Sequence, residues 1–144
     1  MKGDIEMHQE QRIPSESEWQ IMEIIWQEGD GITSAEILQR IKGHTDMTER
    51  TIRVLLSRLC VKGLLASIPD EKDSRVLHYY AACDRDYCLT EKSRSFIKSY
   101  FGGDQVSAIA SFIGSEKLSE EEIRMLEELL NEKAGHNTGK ENTK

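Results

Sequence analysis

The chain has 144 residues, of which 38% are hydrophobic and 31% charged, and it carries a formal net charge of -7. That length suits one domain, or one small domain with an accessory segment. With no run of about 18 apolar residues and a polar, acidic start, neither a membrane span nor a secretory signal is expected, and the protein is expected in the cytoplasm without membrane insertion.

Residues 1–13 lack apolar periodicity and read as a disordered tail, in which Lys2 and Arg12 are available to phosphate and His8 has no visible partner. Ser15-Glu16-Ser17-Glu18 forms a capping box that opens a first helix running to about Glu28. Trp19, Met22, Ile25 and Trp26 share one face of it, with Ile21 and Ile24 alongside, and Gly29-Asp30-Gly31 ends it. Ile32 is expected in a strand of one or two residues. Thr33-Ser34-Ala35-Glu36 then supplies a second capping box, for a helix through Ile37, Leu38 and Ile41 to Gly43.

The segment Thr48 to Leu65 reads as one amphipathic helix, with Thr48 as N-cap and Gly63 as stop. Ile52, Leu55, Leu56, Leu59 and Cys60 follow the spacing of a face packed on a core. Arg50, Thr51, Arg53, Val54, Ser57, Arg58 and Lys62 fall outward, and Glu49 is the one acid of the segment against four cations. A positive helix on an acidic chain is a focused anion-binding surface. Arginine pairs bidentately with guanine, and the methyl groups of Thr and Val fit thymine. The competing reading is an ordinary solvated helix face.

Leu65 to Ile68 and Val76 to Tyr80 are strand-prone runs around a charged turn, Pro69 to Arg75, and together predict a β-hairpin. Two short helices, a turn, a basic helix and a hairpin are the order of a winged helix-turn-helix. Lys72 and Arg75 on the wing and Ser34 at the start of the second helix complete the predicted DNA-binding set. The wing also carries Asp70, Glu71 and Asp73, so it is no strong phosphate clamp, and His78 reads as a strand residue.

Residues 84–100 are helical in pattern, and Phe101-Gly102-Gly103-Asp104 breaks them. Asp104 caps a short helix from Gln105 to Ile113, too apolar to stand free in water. Leu118 to Ile123 supplies a cap, a capping box and a staple for a last helix, and residues 134–144 read as a second disordered tail containing His136. This module cannot enclose its own core. Ile97, Tyr100, Ile109, Phe112, Ile113, Ile123, Leu126, Leu129 and Leu130 are therefore expected to meet a second copy across a two-fold axis, the competing arrangement being an intrachain pack on the first helix. The chain is thus expected to be mainly α with a small β-hairpin, as a winged-helix domain over residues 14–82 and a helical dimerisation domain over 83–133.

Cys60, Cys83 and Cys88 are an odd number, which suits a reducing compartment. Cys83 and Cys88 lack the further ligands of a structural zinc site, and no metal or cofactor is expected. The chain has no G-x-S-x-G elbow, H-E-x-x-H or phosphate-binding glycine loop, so no enzyme is expected.

The segments Ser17 to Trp26, with E-W-x-x-M-x-x-x-W, and Thr51 to Leu59, with T-I-R-x-L-x-x-R-L, together with Tyr79-Tyr80 and Tyr100 to Asp104, resemble the penicillinase repressor family, BlaI/MecI. The likeness runs from about Ile13 to Lys133. It implies a homodimeric repressor of two-fold symmetric operators, often controlling genes of β-lactam resistance. A membrane sensor-transducer relieves such repressors by triggering their proteolysis. Copper-responsive relatives end in C-x-C motifs, and none follows Ile123. The bond cleaved in penicillinase repressors joins Asn to Phe, and the matching pair here is Ser111-Phe112. The alternatives are a winged-helix module that binds protein, or a repressor of this fold answering another signal.

Overall fold

The computed structural model describes residues 13–142, with side chains to residue 136. Six helices and a small sheet make up these residues: α1 (Glu16–Glu28), β1 (Ile32–Thr33), α2 (Ser34–Ile41), α3 (Glu49–Val61), β2 (Leu65–Pro69), β3 (Leu77–Ala81), α4 (Arg85–Phe101), α5 (Gln105–Ser115) and α6 (Glu120–Asn142). The sheet is antiparallel in the order β1-β3-β2, with Ile32 opposite Tyr79 and Ser67 opposite Tyr79 from the other side. This is a winged helix-turn-helix, as the order of segments predicts. Lys2, His8 and Arg12 lie outside the described residues.

The first compact unit extends to Phe96. Its core joins Ile21, Met22 and Ile25 of α1 to Ile37 and Ile41 of α2 and to Ile52, Leu55, Leu56 and Leu59 of α3, with Tyr79 from the central strand β3. The capping box of α1 forms in both directions: the Glu18 amide donates to Ser15 Oγ at 3.3 Å and the Ser15 amide to Glu18 Oε1 at 2.8 Å. The buried stripe of α1 is centred on Ile21, Met22 and Ile25, so Trp19 and Trp26 fall at its edge, half-buried. Their rings meet edge to face at 5.3 Å.

At α2 only half of the expected capping box forms. The Glu36 amide donates to Thr33 Oγ1, but the Glu36 carboxylate takes the Thr33 hydroxyl instead of its backbone N–H. The cap residue here also belongs to β1, where it pairs with His78.

The expected domain boundary before Cys83 does not coincide with the division between compact units, which falls after Phe96 within α4. The first turns of α4 belong to the winged unit for three reasons. Trp26 Nε1 donates to the Cys83 carbonyl at 3.1 Å, Cys88 is buried in the core, and Arg85 forks onto Glu23 with Nη2 2.8 Å from Oε1.

The second unit, from Ile97 onward, is helical. Asp104 caps α5 through the Ser107 amide at 3.1 Å, and α5 continues past Ile113 to Ser115. Ser119 and Glu122 form the reciprocal box that starts α6. The tail expected from Ala134 is instead a continuation of α6 to Asn142. Residues 134–142 contain no proline, and extending a formed helix costs far less than nucleating one. Ala108 is the one fully buried side chain of α5 and α6 among the described residues.

Candidate nucleic-acid interface

The rotation of α3 about its own axis is set by its apolar face. Ile52, Leu55, Leu56 and Leu59 are buried, Cys60 is half-buried, and Arg50, Thr51, Arg53, Val54, Ser57 and Arg58 are consequently all exposed on the other side. Thr48 caps the helix by accepting the Thr51 amide at 3.2 Å, and the two hydroxyls lie 3.0 Å apart. Arg53 Nη2 meets Glu49 Oε1 at 2.6 Å, but both side chains are largely exposed. A pair of that kind is worth at most about 1 kcal/mol, so Arg53 is readily transferred to a phosphate or a guanine.

Lys62 is placed differently from the other predicted contacts. Its ammonium lies 2.5 Å from Oε1 of Glu18, a carboxylate only 2% exposed. It pairs with the core-facing acid of α1 and is half-buried, unlike the exposed cations of α3. Burial pushes the Glu18 carboxyl up, but Lys62 and the Ser15 amide outweigh burial and leave it below its usual value. The other carboxylate oxygen of Glu18 has no hydrogen-bond partner.

Ser34 is the first residue of α2 and is half-buried. Lys72 and Arg75 are exposed on the wing. Arg75 turns back on Asp73, with Nε 3.1 Å from Oδ1. The loop itself is built around Asp70, whose Oδ2 accepts the amides of Lys72 at 3.0 Å and Asp73 at 3.2 Å. Its Oδ1 lies 2.8 Å from His78 Nε2, and His78 Nδ1 lies 2.7 Å from the Gly31 carbonyl. His78 is the strand residue that its surroundings in the chain predict, and no sequence pattern shows this network as a whole. The one local signal was the Asp-rich turn, since Asp favours such side-chain-to-backbone turns.

Cys83 and Cys88 face each other as free thiols, with Cys88 Sγ donating to Cys83 Sγ at 3.1 Å. Burial, with the neighbouring Cys88 second, pushes the Cys83 thiol up to about 12, so these groups are packing residues with little thiolate character.

In the second unit Tyr100, Ile109, Phe112, Ile113, Ile123, Leu129 and Leu130 are exposed, while Ile97 and Leu126 are half-buried. Phe112 packs edge to face on Phe101 at 6.4 Å. Ser111-Phe112 lies inside α5, whose geometry must open before a protease could take the bond as an extended strand.

Residues 14–132 match the family model described as penicillinase repressor. The chain is 32% identical over 119 residues to the methicillin resistance regulatory protein MecI of Mammaliicoccus sciuri, covering 83% of this chain and 94% of that one. It is 30% identical to the penicillinase repressor of Bacillus licheniformis, covering 82% and 89%. Among solved structures, Streptococcus pneumoniae FabT in complex with DNA aligns at a TM-score of 0.43 and 18% identity, covering 87% of this chain and 76% of that one.

Proposed function

Because this chain belongs to the penicillinase repressor family and is a DNA-binding transcriptional repressor rather than an enzyme, we propose that it reads its operator with the outward face of α3. It does so as a homodimer on a duplex of two-fold symmetry. The observation that carries this reading is the exposed set Arg50, Thr51, Arg53, Val54, Ser57 and Arg58 on a helix whose opposite face is buried. Arg53 and Thr51 lie near the start of the helix, where a recognition helix meets base edges, and Ser34, Lys72 and Arg75 contribute phosphate contacts from α2 and the wing.

The exposed apolar side chains of α5 and α6, with Ile97 and Tyr100 of α4, supply the self-complementary surface. Joining two copies there sets the reading heads about 34 to 36 Å apart, one helical turn, or a multiple of it. The genes controlled are those of β-lactam resistance, as the names of the relatives imply for those proteins. Ser111-Phe112 is the candidate bond for release by a sensor-transducer in the membrane or a protease it activates, but Ser lacks the amide and size of the family's Asn, so a signal other than cleavage is the competing route. The repressor works in the cytoplasm; among the described residues no helix is long and apolar enough to cross a membrane.

The test is a salt titration of binding to a duplex selected by this chain from a random pool. Affinity should fall steeply with salt as counterions are released. Arg53→Ala should lose on the order of 1 to 3 kcal/mol and relax preference at one base pair. Undiminished, equally selective binding by Arg53→Ala would remove α3 from the interface.

A further inference from the structure

His78 sits in β3, the central strand, between Thr33 of β1 and Ile68 of β2. Its ring touches two groups from distant parts of the winged unit: the Gly31 carbonyl at 2.7 Å and the Asp70 carboxylate at 2.8 Å. A carbonyl and a carboxylate only accept. A neutral imidazole has one N–H and one lone pair, so it can satisfy only one of them and sets its lone pair against the other oxygen. Both contacts are hydrogen bonds only when the ring carries two protons.

The second oxygen of Asp70 holds the amides of Lys72 and Asp73 and so shapes the loop that presents Lys72 and Arg75. The same loop is closed by the Asp70 amide on the Val76 carbonyl at 2.8 Å. One proton on His78 therefore joins the turn ahead of β1, the central strand and the wing.

We propose that the His78 imidazolium is a positioning residue that pins the wing for DNA, and that losing its proton leaves the ring able to bond only one of its two partners, which loosens the tie between the wing and the turn ahead of β1 and weakens operator binding as pH rises. The charged groups facing the ring are both acidic, Asp70 from the wing and Glu36 from α2. The Gly31 carbonyl first, and Asp70 second, hold the ring's pKa above its ordinary value of 6.5 against a smaller opposing effect of desolvation. A raised value means that the pin is fully made below 6.5 and is lost as pH rises through the value in the folded chain. Asp70 is held below its usual 3.8, chiefly by His78, so the pin survives mild acid.

The consequence for DNA rests on the wing contacting the duplex, as argued above; the pin itself does not. Two measurements on the full chain separate them. In the free protein, the ring nitrogens of His78 should titrate above 6.5, and the amides of Lys72 and Asp73 should move with the same midpoint. His78→Gln should abolish that movement while the fold is retained. A ring that titrates at or below 6.5, or amides that stay still, overturns the proposal.

On the selected duplex at constant ionic strength, wild-type affinity should weaken roughly five-fold between about pH 6 and about pH 9. His78→Gln should show a much flatter profile, and His44→Gln the wild-type profile. Equal pH dependence in wild type and His78→Gln overturns the coupling to DNA. Failure of the chain to bind any duplex overturns the functional reading instead, and the ring titration still decides the pin.

Discussion

Lys62 occupies the C-cap of α3, where a cation suits the negative end of the helix dipole. Its amine meets Glu18, so this side chain joins the end of α3 to the start of α1. Removing it leaves a carboxylate 2% exposed with only the Ser15 amide for company. Lys62→Ala should therefore lower stability by about 2 kcal/mol in urea denaturation at neutral pH, and adding Glu18→Gln should recover part of the loss. The folded Glu18 carboxyl lies below its ordinary 4.5, so the pair's contribution is present above that pH and disappears as pH falls through the folded value. The gap between wild type and Lys62→Ala should close in acid. A gap independent of pH would mean that Lys62 acts through packing of its stem alone.

At the scale of the element, the end of α3 decides where the wing begins. The Gly63 amide returns to the Cys60 carbonyl and the Leu64 amide to the Leu59 carbonyl, each at 3.0 Å, which is a Schellman closure. Leu59 and Leu64 are both buried beneath it, and β2 starts at the next residue, Leu65. Gly63 has φ of +79°, with open space where a Cβ would stand. Gly63→Ala should thus cost about 1 kcal/mol from backbone strain alone, and Gly63→Asn less. Thermal midpoints of the two variants measure this, and an Ala variant as stable as wild type would show that the turn relaxes without cost. The same closure explains why the helix stops at Val61 although the apolar spacing would tolerate a longer one.

At the scale of the whole molecule, a set of large apolar side chains on α5 and α6 remains in water in the single chain. Phe112 is 55% exposed, Leu129 60% and Leu130 58%. A patch of this kind is costly to leave uncovered and marks an interaction surface. A chain ending at Ser111 lacks Phe112, Ile113 and all of α6. It should sediment as a monomer and bind the selected duplex roughly 100-fold or more weakly, because two linked half-sites gain through effective concentration. Its α3 contacts would be unchanged, so the salt dependence per half-site should persist. A shortened chain that still sediments as a dimer would place the self-contact in α4 and the first part of α5.

The elements of the winged unit and the outward face of α3 were legible in the residues because they depend on short-range rules. Apolar spacing sets which side of a helix is buried, Ser15 and Thr48 start helices by bonding their own neighbours, and a polar Asp-rich turn between two strand-prone runs makes a hairpin. What local pattern could not decide was which distant group each charge meets. Lys62 looked like one more outward cation until the fold set Glu18 beside it, 44 positions away. His78 looked like a strand residue until β1, β3 and the wing brought Gly31 and Asp70 to its two nitrogens. Likewise the first turns of α4 join the winged unit through Arg85 and Cys88, whose partners and surroundings exist only after the chain has folded. Pairing energies fall off within a few ångströms, whereas sequence separation says nothing about approach in space.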